Sequence, residues 1–70
     1  MIEVFKTNIN SKKIADKIRS CLEEAFPEHD INFDLDDSDK ILRVEARKLD
    51  CEKIMEMIKR ENIKIKVLEE

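Results

Sequence analysis

The sequence predicts a single α+β domain, a four-stranded antiparallel sheet with two helices on one of its faces. Three observations predict it. A helix-entry pattern occurs twice, forty positions apart, with Ile9-Asn10-Ser11-Lys12-Lys13-Ile14 aligning on Leu49-Asp50-Cys51-Glu52-Lys53-Ile54. Each copy has an apolar residue, then Asn or Asp, then an apolar residue four places further on. This is the layout of a side-chain N-cap flanked by a hydrophobic staple. An alternating, strand-like stretch precedes each copy, at residues 2–9 and 41–46. Another alternating stretch follows each helix, so the chain divides into two β-α-β halves.

The elements follow in order. In residues 2–9 a staple at Ile9 places Phe5, Thr7 and Ile9 toward the core and Ile2, Val4 and Lys6 on the opposite face, because side chains alternate along a strand. From Ser11 the period changes. Ile14, Ile18, Cys21, Leu22, Ala25 and Phe26 form one apolar helical stripe, and charged residues fill the other face. Pro27 ends this helix, since the residue before a proline disfavours helical geometry. Ile31, Phe33 and Leu35 then alternate with Asn32, Asp34 and Asp36 as a half-buried strand. A polar turn, Asp36-Asp37-Ser38-Asp39, leads to a third strand in which Leu42, Val44 and Ala46 alternate with Arg43 and Glu45. Asp50 caps the second helix, whose stripe is Cys51, Ile54, Met55 and Ile58, with Met57 at its margin. Asn62 stands in for the usual glycine at the helix stop. Ile63, Ile65 and Val67 alternate with Lys64 and Lys66 as the last strand.

This order, β-α-β-β-α-β with an internal pseudo-repeat, points to the ferredoxin-like sandwich with sheet order 4-1-3-2. Right-handed crossovers make it the simplest way to bury both helical stripes against the inward strand residues. The whole chain, residues 1–70, is expected to be one domain, near the lower size limit for folding without a metal or disulfide.

Composition narrows the function classes. Fourteen basic against seventeen acidic residues leave a net charge of −3, which argues against general nucleic-acid binding. No apolar run is long enough for a membrane span or signal peptide, so a cytoplasmic protein is expected, with its two cysteines as free thiols. The chain has no glycine, so Asn, Asp or Ser must make every tight turn.

The segments Phe5-Lys6-Thr7-Asn8-Ile9 and Asp39-Lys40-Ile41-Leu42-Arg43-Val44, on this topology and length, make the chain resemble the heavy-metal-associated domain family. These are small copper-chaperone-like modules, also found on metal-transporting ATPases, and the resemblance covers nearly the whole chain. The family implies Met-x-Cys-x-x-Cys across the first loop and the start of the first helix, where two thiolates hold Cu(I) or a similar soft ion. Here the family's Met falls on Ile9, its first Cys on Ser11 and its second on Ile14. A soft ion needs thiolate or imidazole donors, and Ser beside Ile supplies neither. The resemblance therefore implies the fold without the metal activity: a degenerate member with no cofactor.

Several other groups are candidates for function. Cys21 and Cys51 fall at the same end of the proposed topology and would be the alternative soft-metal pair, or a disulfide. Both lie on apolar helical stripes, where a free cysteine packs as a small hydrophobe. Asp34-x-Asp36-x-Ser38 with Ile41 and Glu45 matches several positions of a calcium-binding EF-hand loop. Position six of such a loop requires glycine and is Asp39 here, and the flanks alternate as strands, so a solvated turn is expected. Lys12 and Lys13 occupy the first turn of a helix, where the backbone dipole disfavours positive charge, and could face an anion or an acidic partner. Asp36, Asp37 and Asp39 lie at the same end to offset them. His29 stands alone without a second imidazole or an organised acid. The outward sheet face shows Ile2, Val4 and Ile41 between lysines on one edge strand and aspartates on the other. It has no aromatic residue on which a base could stack, which argues against RNA and suits self-association or a protein partner. No nucleophile–base pair, phosphate loop or paired catalytic carboxylates can be localised, so a non-catalytic interaction module is expected. The alternative is a divergent metal-binding protein using Cys21 and Cys51 or ligands from a second chain.

Overall fold

A computed structural model describes residues 1–68. The elements are β1 (Ile2–Thr7), α1 (Lys12–Ala25), β2 (Asp30–Asp34), β3 (Ile41–Glu45), α2 (Cys51–Lys59) and β4 (Ile65–Val67). They form one antiparallel sheet of order β2-β3-β1-β4. This is the expected 4-1-3-2 order read from the other edge, the ferredoxin-like arrangement.

Alternation divides the sheet into two faces. Phe5, Leu42 and Val44 are fully buried on one face, and Thr7, Ile31 and Ile65 lie with them. Ala15, Ile18 and Leu22 of α1 and Ile54 and Ile58 of α2 join the same cluster, so both helices cover this one face. Ile9 and Ile63, in the loops at the top of the sandwich, complete the core. The central strands β1 and β3 pair from Ile2↔Glu45 to Lys6↔Ile41, and this register sets the layout of the exposed face.

Three local expectations need correction. The cap of α1 is Ser11, whose Oγ accepts the Ile14 amide at 3.4 Å, and not Asn10. The buried stripe of α1 is accordingly Ala15, Ile18 and Leu22, while Ile14, Cys21 and Ala25 are exposed. The strands are also shorter at their ends than the alternation suggests, since β1 stops at Thr7 and β4 starts at Ile65.

Thr7 explains the first of these corrections. Its hydroxyl donates to the Lys40 carbonyl at 2.6 Å and accepts the Ile9 amide at 3.2 Å. This buried bridge draws Ile9 into the core at 2 % exposure and leaves Asn10 outside. At α2 the expected cap holds, and the Asp50 carboxylate accepts the Lys53 amide at 3.1 Å. Asn62 takes the left-handed conformation (φ 61°) after α2, as expected of a glycine substitute. Among the described residues Lys40 is the other left-handed one (φ 48°), held by its amide to the Asp37 carbonyl and its ammonium to the Leu35 carbonyl at 2.9 Å.

Candidate interaction surface

The face of the sheet away from the helices is built by register. One row across it runs Asn32, Arg43, Val4, and the next runs Asp34, Ile41, Lys6, Lys66. The Leu68 amide donates to the Val4 carbonyl at 2.9 Å, so the ladder continues past β4 and alternation puts Leu68 beside Val4 on this face. The expected residues Ile2, Val4 and Ile41 do share the face. Ile2 is half exposed, and Val4, Ile41 and Leu68 are half-buried. Val4 and Ile41 are diagonal neighbours across β1 and β3, at a spacing within reach of aliphatic side chains. Leu68 was not among the expected residues. Its signal was the continued alternation Lys64, Lys66, Leu68.

Charge at the two edges of this face is sorted by strand, while the central strands add Arg43 and Glu45 on β3 and Lys6 on β1. Edge strand β2 presents Asp30, Asn32 and Asp34, all exposed, and edge strand β4 presents Lys66, with Lys64 just before it. The register also sets like charges directly opposite each other. Asp30 faces Glu45 across β2 and β3, and Lys6 faces Lys66 across β1 and β4. Like charges directly opposite each other on neighbouring strands are destabilising. Each is partly relieved locally. The Asn32 amide donates to Asp30 at 3.4 Å, and the Lys6 ammonium lies 3.1 Å from the Asp39 carboxylate.

Asp39 is therefore engaged with Lys6 and not with the lysines of α1, as had been expected. Lys12 and Lys13 are exposed in a first turn that carries no acidic residue. The turn before β3 is closed by its own atoms, with the Asp37 carboxylate accepting the Asp39 amide at 2.8 Å. Among the described residues, no three His, Cys, Asp or Glu side chains are grouped to hold a metal ion.

The cysteines have different surroundings. Cys51 opens α2 with its thiol 4.0 Å from the Glu3 carboxylate. A helix N-terminus ordinarily favours a thiolate. Here burial pushes the Cys51 thiol up, and the negative charges of Glu3 and Asp50 push it further the same way. Cys21 is exposed, in contrast to the expected core position, and lines a shallow groove with Leu22, Met57 and Ile58. Met57 lies six residues after Cys51, about 9 Å along the helix axis, so Cys21 meets the last turns of α2 and not its first. Both thiols are free.

His29 packs its ring on Phe26 with centroids 4.8 Å apart, and the Arg19 guanidinium lies 5.9 Å from the Phe33 ring centre. These contacts seal the lower edge of the core beside β2. Among the described residues, no helix is long and apolar enough to cross a membrane. No family model, curated protein or solved structure matches the chain.

Proposed function

We propose that this chain is a non-catalytic interaction domain of heavy-metal-associated type, working in the cytoplasm and docking a protein partner through its outer sheet face. The observation that carries the reading is the group of exposed Ile2 and half-buried Val4, Ile41 and Leu68, set among Lys6, Arg43 and Glu45 between an acidic and a basic edge. An apolar centre supplies affinity, and sorted charge at the rim supplies orientation and rejects wrong partners.

The positions that would carry metal in the family have other work here. Ile9 is buried in the core, and the Ser11 hydroxyl caps α1. A soft ion binds thiolate, so at Cys51 it would have to displace a proton that burial and the neighbouring Glu3 and Asp50 charges favour. The test is native mass spectrometry of the reduced protein titrated with Cu(I) and with Zn(II). The expected result is no stoichiometric uptake. Tight one-to-one uptake, lost on Cys21→Ser/Cys51→Ser substitution, would replace this reading with metal handling.

A further inference from the structure

Strand β4 forms one edge of the four-stranded sheet, and its ladder to β1 runs through alternate residues. The Asn8 amide donates to the Lys64 carbonyl at 3.3 Å, Lys6 pairs with Lys66, and the Leu68 amide donates to the Val4 carbonyl at 2.9 Å. In an antiparallel pair the residues between these turn their main-chain groups the other way. Ile65 and Val67 therefore direct N–H and C=O away from β1, to the side where no further strand of the described residues lies.

The same alternation sets Lys64 and Lys66 on the outer face, and Ile65 and Val67 on the face that the helices cover. Lys66 stands directly opposite Lys6, and with Lys64, Thr7, Asn8 and Ile65 they line a shallow hollow beside this edge. Among the described residues, the ion pair at this corner is Lys6 with Asp39 at 3.1 Å. One carboxylate among three ammonium groups leaves an excess of positive charge beside an open row of main-chain groups.

We propose that β4 takes up an acidic, extended segment of a partner protein as a fifth strand. This site is separate from the aliphatic group of the outer face and does not rest on the docking reading of that face. The main-chain groups of Ile65 and Val67 supply the pairing, which is the strand-addition mode of peptide recognition. Register then sets the composition of the segment. Its residues beside Lys64 and Lys66 share the outer face and are acidic. Those beside Ile65 and Val67 share the covered face and are aliphatic. Opposite charges directly across neighbouring strands stabilise a pair.

Lysines on a short edge strand ordinarily deter another edge. Here they deter a second β4, which would set lysine on lysine, and they favour an acidic strand. The β2 edge of a second copy carries Asp30 and Asp34, but pairing through it leaves the next β4 open and grows without closing. A separate acidic segment occupies the edge in one step.

Amide NMR of the whole chain, titrated with a short capped peptide alternating aspartate and valine, tests the proposal. Saturable binding should shift the Ile65 and Val67 amides and slow their exchange with solvent, since both become hydrogen-bonded. Added salt should weaken it. Lys64→Glu/Lys66→Glu should bind this peptide at least about tenfold more weakly, as two facing pairs turn from unlike to like. The same variant should bind a peptide alternating lysine and valine, which also checks that its edge is intact. Val67→Pro removes one outward N–H and spares the ladder to β1, so it should lose the peptide. No binding, undiminished binding to Val67→Pro, or no recovery with the lysine peptide would overturn the proposal. So would equal binding of a peptide with the same residues in two blocks, or inorganic phosphate producing the same shifts and slowing. A mass that rises with concentration of the chain alone would overturn it too, by giving the edge to a second copy.

Discussion

The two helix entries began as copies of one pattern, and the structure uses them differently. At α2, Asp50 caps, Leu49 before it is half-buried, and Ile54 four residues after the cap is buried at 1 % exposure. At α1 the cap is one residue later, at Ser11, and the residue four places on is Ala15. A one-residue shift turns a helix by about 100° relative to its cap, which exchanges Ile14 for Ala15 at the core. Ile14 is left 42 % exposed. In the loop before α1, Ile9 is buried at 2 % exposure, whereas its counterpart Leu49 before α2 is half-buried. The entries thus balance volume in opposite ways: a large loop residue with a small helix residue, or a half-buried loop residue with a large helix residue. Close packing requires the sum, not the position, to be kept.

Substitutions at the aligned pair Ile14 and Ile54 test this contrast with the largest expected effect. Ile54→Ala should cost about 2–5 kcal/mol, a large part of the stability of a domain this small. Ile14→Ala should change it by less than about 0.5 kcal/mol, as at an ordinary surface site. Urea denaturation of both variants reads the difference directly, and equal losses would restore the expected symmetric repeat. The Thr7 bridge that creates the shift comes next. Thr7→Val strands the Ile9 amide and the Lys40 carbonyl, at a cost of about 1–3 kcal/mol. A Thr7→Ser variant should keep most of that stability, and similar losses for both would deny the hydroxyl its role.

Cap substitutions are smaller. Asp50→Ala should lose about 1 kcal/mol and Ser11→Ala somewhat less, given its longer bond, while Asn10→Ala should be nearly silent. A loss at Asn10 equal to that at Ser11 would contradict the cap assignment. The first turns also differ in charge, with Lys12 and Lys13 at α1 and Glu52 at α2. Lys12→Glu and Lys13→Glu should each raise thermal stability by about 0.3–1 kcal/mol at low salt, and Glu52→Lys should lower it. The smallest effect belongs to Cys51, which stands where the first copy has Ser11. Its raised pKa means that the folded chain holds a proton that the unfolded chain releases above its ordinary value of 9.0. This stabilisation is present in full below that pH and is lost as pH rises through the folded-state value. A Cys51→Ser variant should therefore show a shallower decline in alkaline solution. In the parent protein, exposed Cys21 should be alkylated before Cys51.

The features legible in the sequence were those set by period. Phe5, Leu42, Val44 and Ile65 fall inward because the strands alternate, and the two stripes fix the helices, so the topology followed from few alternatives. A one-residue shift was hidden because Ile14 and Ala15 are adjacent apolar residues and Asn10 and Ser11 are adjacent capping residues. The discriminating signal was Ala15, Ile18 and Leu22, which recur from Ser11 at helical spacing. The outer face was legible in its residue types, Ile2, Val4 and Ile41 with charged edges. Which charges stand opposite one another depends on strand register, a long-range property, so the pairs Asp30–Glu45 and Lys6–Lys66 became visible only with the sheet assembled. The same applies to Cys21, whose exposure is decided by the rotation of α1.

The absence of glycine has a consequence for the chain before it folds. Every residue carries a β-carbon or a ring, so the unfolded ensemble spans fewer backbone conformations than that of a typical chain of this length. Less freedom is then surrendered on folding, which helps a domain whose core is small. The counterpart is local strain at Lys40 and Asn62, both held at positive φ without being glycine. Stability in this molecule is in part a property of its disordered form.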